Sequence, residues 1–156
     1  MSWRLLRALE TIKPRPADAW MLEHPVLRQR TFEQALGFPA YALPDSETPS
    51  CIFGIVNNFG VGEGWMLTGE GFEKTVKQTL PLMRRLTAHL YVTMQLHRLH
   101  LMVDSSRKDS ATWAKHLGFK FECGPLARMG VRGEDLDMWI YSPQWLEQKV
   151  KQQRGE

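Results

Sequence analysis

The chain has 156 residues, enough for one domain whose core needs no disulfide or metal staple. Its 20 Lys and Arg are offset by 17 Asp and Glu spread along the length, so the net charge of +3 makes no dedicated basic face, and specific nucleic-acid binding is not expected. No stretch approaches the roughly 18 apolar residues of a membrane span, and the opening MSWRLLRALE is too short and too charged for a secretory signal.

Residues 1–20 begin with a short helical or strand segment. Pro14 and Pro16 then forbid regular helix or central strand, and Asp18 is placed to cap a short helix through Trp20 and Met21. HPVLRQRTFEQALGFP reads as a helix, with Val26, Leu27, Phe32, Ala35 and Leu36 near helical spacing and Gly37 as its stop. ALPDSETPS reads as a loop. Cys51–Val56 and GWMLT are two short strands, and the glycine-rich Gly60–Gly64 between them reads as a hairpin turn.

From Phe72 to Gln95 the pattern is helical, with Pro81 either kinking the helix or restarting it. HRLHLMVD alternates as a strand, a helix runs from about Asp109 to Leu117, and FKFECGPL and LDMWIY are two last strands around the loop ARMGVRGED. The remainder, 146–156, is a C-terminal helix or tail after a domain spanning 1–145. A helical crossover between GWMLT and HRLHLMVD implies a parallel pair there, and the final two strands should be antiparallel. Cys51 and Cys123 are far apart with no CxxC, as in a reducing setting, and six Trp, seven Phe and eight Met suggest an aromatic, adaptable core. Trp113, Trp139, Tyr141 and Trp145 are expected mostly to fill it rather than to face a partner.

This order of elements, together with VDSSRKDSATWAKHLGFKFE, resembles the GNAT family of N-acetyltransferases over about residues 51–141. Leu117-Gly118-Phe119 stands where that family ends a helix sharply and turns into a strand. The resemblance implies an α/β fold, a single GNAT-like domain with a mixed, mostly antiparallel sheet and helices on both faces. More narrowly, Trp65, the long helix without a glycine-rich entry, the MVD of the following strand and the late Leu-Gly resemble GNAT-like proteins of tailed phages, including a small internal virion protein of short-tailed phages.

The family's chemistry needs a turn whose backbone N–H groups meet the diphosphate of acetyl-CoA at a helix N-terminus. The matching window is Met66-Leu67-Thr68-Gly69-Glu70-Gly71. Both glycines are present, but Met66 replaces the leading basic or amide residue and Glu70 brings a carboxylate to the phosphate position. Counting back from Leu117, the family's proton-donating Tyr falls on Ala114, which has no proton to give, and its Asn falls on Arg107, which could contact a phosphate. Glu63, Glu70 and His100 are candidates for a general base, with no spacing that favours one. His97 and His100 lack the spacing of a metal pair, and no catalytic residue is assigned.

The first expectation is therefore a catalytically degenerate, cofactor-free protein of tailed-phage type, acting in the virion or its assembly through contacts with other virion proteins. The alternative is an acetyl-CoA-dependent N-acetyltransferase that holds its cofactor through Leu67, Thr68, Gly69, Glu70, Gly71 and Arg107. A second alternative is a phage factor that binds a host protein in the host cytoplasm.

Overall fold

In the computed structural model, which describes residues 3–44 and 48–156, the chain opens as helix α1, Trp3–Thr11. Leu5, Ala8, Leu9 and Ile12 recur at helical spacing and are all buried, so the ambiguous start is a helix with one apolar edge. Pro14 and Pro16 end regular structure, and residues 12–18 cross the end of the sheet as a strap that pairs with it once, at Pro14 and Gly69. Helices α2, Trp20–Glu23, and α3, Pro25–Gly37, follow.

Two expectations fail in this region. Asp18 does not cap α2: Ala19 holds the cap position without a side-chain bond, because the Asp18 carboxylate is engaged by Thr68 and Arg107. Val26 is not on the buried face of α3, which is formed by Thr31 and Ala35 one turn apart, with Phe32 beside them.

Strand β1, Ala40–Leu43, occupies the start of the stretch expected to be a loop. It pairs antiparallel with β2, Cys51–Asn58, and two alanines in four residues had hidden its alternation. Residues 45–47 of that expected loop lie outside the described residues. Strand β3, Val61–Thr68, continues the hairpin. The reading of Gly60–Gly64 as a turn is also corrected. Only Phe59 and Gly60 turn, and Val61–Gly64 already lie in β3. Gly62 is there for packing, since a Cβ on it would sit 2.8 Å from a Leu96 methyl carbon.

Helix α4, Phe72–Thr93, is one element through Pro81, which lies on its exposed side. Strand β4, Arg98–Asp104, helix α5, Lys108–His116, strands β5, Phe119–Leu126, and β6, Leu136–Tyr141, and helix α6, Gln144–Arg154, complete the chain. His97 precedes β4 rather than lying in it. The sheet order is β1-β2-β3-β4-β6-β5, with β3 and β4 parallel and every other pair antiparallel, as the crossover argument required.

Alternation along β2 divides the core between two faces. Phe53 and Ile55 pack with Leu99, Trp139, Tyr141, Met83 and Leu90, under α4 and α5. Ile52 packs with Leu67, Leu5, Leu9 and Ala35, under α1 and α3. The molecule is thus an α/β domain with a mixed, mostly antiparallel sheet and helices on both faces. Trp139 and Tyr141 are core residues, Trp113 packs against that core, and Trp145 is 39% exposed with its ring against Tyr91 and Tyr141. Among the described residues no helix is long and apolar enough to cross a membrane, and no His, Cys, Asp and Glu cluster could hold a metal ion.

Candidate functional site

The parallel pairing of β3 and β4 is short. It runs from Val61 opposite Arg98 to Gly64 opposite Leu101 and then stops. Beyond it, Trp65–Thr68 stay paired with β2, while Met102–Asp104 stay paired with β6. Two strands held by different neighbours must part, so a gap opens at their C-terminal ends. The first turns of α4 and α5 begin at that gap. Ligands of open α/β sheets bind at such a place, outside the carboxyl ends of diverging strands.

Here the chain fills the gap itself. The Arg15 N–H donates to the Thr68 carbonyl at 2.9 Å, and the Glu70 N–H donates to the Lys13 carbonyl at 2.8 Å, fixing the strap against the β3–α4 turn. Asp18, only 6% exposed, accepts from the Thr68 N–H at 3.1 Å, from the Thr68 hydroxyl, and from Arg107 Nη1 at 2.7 Å. It thereby joins the end of β3 to the entry of α5. Arg15 donates through Nε to the Thr68 hydroxyl at 2.6 Å and through Nη1 to Glu73 at 2.7 Å, with its guanidinium over the Phe72 ring.

The charges match this geometry. Burial works against the Arg107 cation, but hydrogen bonds to Asp109 and Asp18 outweigh it and raise the Arg107 pKa. The hydrogen bond from Arg107 holds the Asp109 carboxyl below its ordinary range, and Arg15 does the same for Glu73. Burial pushes the Cys51 thiol up to about 12, so it packs as an apolar residue and offers no nucleophile.

The six residues of the expected cofactor site are distributed unevenly around this cluster. Thr68 and Arg107 meet through Asp18. Leu67 is fully buried toward α1. The Gly69 N–H donates to the Ser50 carbonyl at 2.7 Å, while the Glu70 side chain is exposed. Gly71 holds the left-handed turn before α4, with φ of 83°. Met66 packs against the core under α4. Ala114 is also buried there, at 1% exposure. Of the candidate bases, Glu63 and His100 are opposite one another in the β3–β4 register, and Glu70 is apart from them. Burial lowers the His100 pKa, and its Nδ1 has no hydrogen-bond partner among the described residues.

Asp18, Arg15, Ser50 and Lys13 had no place in the sequence reading of this site. The only signal was negative: Pro14 and Pro16 mark a segment that must find partners outside regular structure.

A diphosphate needs free N–H donors and little competing negative charge. At this turn the N–H groups of Thr68, Gly69 and Glu70 already have acceptors, and Asp18 places a carboxylate among them. In this arrangement those three N–H groups are not free to meet a diphosphate.

No protein-family profile and no curated protein matches the sequence. Solved structures do. A GNAT-family acetyltransferase from Bacillus anthracis superposes with a TM-score of 0.63 at 11% identity, over 88% of this chain and 87% of that one. The chain has a GNAT-like fold. A chimera of the Vibrio cholerae spermidine N-acetyltransferase SpeG and hSSAT gives 0.62 at 13% identity, over 89% and 88%, and a second such chimera gives 0.57 at 13%, over 74% and 72%. At such identities the GNAT-like likeness is one of architecture, and activity has to be argued from the residues at the gap.

Proposed function

We propose that this chain is a catalytically degenerate GNAT-like protein that acts through contacts with other proteins. The observation that carries the reading is the occupied turn: residues 13–18 take the Thr68 and Glu70 N–H groups and the Arg107 guanidinium that a cofactor would need. Ala114 supports it, since it stands at the position of the family's acid, has no proton to give and is buried in the core. Calorimetry with acetyl-CoA tests the reading, and no binding up to millimolar concentration is expected. Met66→Gln combined with Glu70→Gly should leave that result unchanged, because the turn's donors stay engaged by the strap. Micromolar binding with turnover on an amine would overturn it.

The finer reading places the protein in a phage particle or its assembly, with other virion proteins as partners. It rests on the resemblance to phage GNAT-like proteins. Mass spectrometry of purified particles should find the chain in stoichiometric amounts, whereas absence would favour a host-binding factor. One observation favours the enzyme alternative: β3 and β4 still diverge after four paired residues, although residues 13–18 lie across the gap between them.

A further inference from the structure

We propose that Thr68, Arg15 and Arg107 form an oxyanion receptor whose resident ligand is the chain's own Asp18, and that the receptor takes an external carboxylate or phosphate group once Asp18 is removed. A buried carboxylate persists only when it is fully hydrogen-bonded and charge-paired. Asp18 satisfies this with the Thr68 N–H, the Thr68 hydroxyl and Arg107 Nη1, and Arg15 Nη2 lies 4.0 Å away.

Two of the three donors come from parts of the chain distant from their ligand, while Arg15 shares the strap with Asp18. Thr68 ends β3, and Arg107 lies three residues beyond the end of β4 as the residue before α5, so neither belongs to the strap. Asp18 is separated from them by 50 and 89 residues. The outer edges of the guanidiniums are held by Glu73 and Asp109, both well exposed at 66% and 57%, which keeps the inner edges aimed at the gap. A hydroxyl that accepts from Arg15 and donates inward, an N–H at a strand end and two guanidinium edges make a donor set suited to one small oxyanion.

This inference rests on the strap reading above, but its failure is separable. Acetyl-CoA binding by the unaltered protein would sink the proposed function, whereas the receptor is tested on Asp18→Ala with formate and with inorganic phosphate. Thermal unfolding is followed at fixed ionic strength against chloride. Asp18→Ala should melt below the parent protein. Saturating formate, or phosphate, at ten times its Kd should raise its Tm by about 3 °C. The parent protein and Asp18→Asn, whose amide still fills the space, should not respond beyond the chloride control. The double variant Asp18→Ala with Arg107→Gln should lose the response.

If Asp18→Ala does not fold in chloride, recovery of folding in formate is the expected readout. A Tm that tracks chloride with both anions, an equal response in the Arg107→Gln double variant, or no folding in either anion would overturn the receptor.

Discussion

Thr68–Gly71 and Leu117–Phe119 are both glycine junctions between a helix and a strand, and they use their backbone groups differently. At Leu117–Phe119 the partners are close in space and mostly close in sequence. The Gly118 N–H meets the Lys115 carbonyl at 3.0 Å, its carbonyl accepts from Ser142 at 2.9 Å, and its φ of 97° is one that a side chain resists. At Thr68–Gly71 the N–H groups of Thr68, Gly69 and Glu70 go to Asp18, Ser50 and Lys13, across up to 57 residues of chain. A junction whose bonds are local announces its fold in a short motif. A junction whose bonds are distant has a motif that says nothing about who holds its donors.

The most forceful test of this contrast is to put the family's acid back. Ala114→Tyr should cost about 3 kcal/mol in urea unfolding, because the ring has to enter a filled core. A cost under about 1 kcal/mol would mean that α5 can make room, and the erosion of the site would be shallower than argued. Next comes Gly118→Ala, expected to lose about 2 kcal/mol through left-handed strain and a Cβ 3.3 Å from the Tyr141 ring. If it is neutral, Leu117–Phe119 is not the rigid junction described.

Gly69→Ala should be milder, about 1 kcal/mol, yet more informative. Its Cβ would meet Ile12 Cγ1 at 2.9 Å and the Lys13 carbonyl at 3.2 Å, so the strap rather than the sheet should give way. Hydrogen exchange should then quicken at the Arg15 and Glu70 amides while β2 stays protected. Uniform loss of protection would show that strap and sheet open as one unit.

The smallest effect belongs to Asp109→Asn, about 0.5 kcal/mol at pH 7 for an exposed pair. Arg107 lowers the folded pKa of Asp109, so its stabilisation is fully present above the ordinary value of 3.8 and fades as pH falls below it. The parent protein and the variant should therefore converge in acid unfolding once the pH falls below that lowered folded pKa. A difference that persists there would assign the effect to packing.

The sheet, its one parallel pair and the helix ends were legible because period, proline and glycine act within a few residues. Leu99 and Val103 alternate as a buried strand face whatever the rest of the chain does. The gap was less legible for the opposite reason. Asp18 next to a short helix has the local look of a cap, and only the meeting of β3 with the entry of α5 gives it a stronger pair of donors. Gly62 misled similarly: its glycine reflects the Leu96 side chain rather than a turn. β1 was lost to its two alanines, which carry little alternation.

The separation of Asp18 from Arg107 also sets an order of events during synthesis. The acid leaves the ribosome 89 residues before its cation, an interval on the order of 5–20 s at ordinary elongation rates. Throughout that time Asp18 lacks its charge partner, although Thr68 and Glu70, which also hold the strap, emerge earlier. The strap can be pinned to the β3–α4 turn before α5 exists, and only the ion pair that ties it to α5 waits for Arg107.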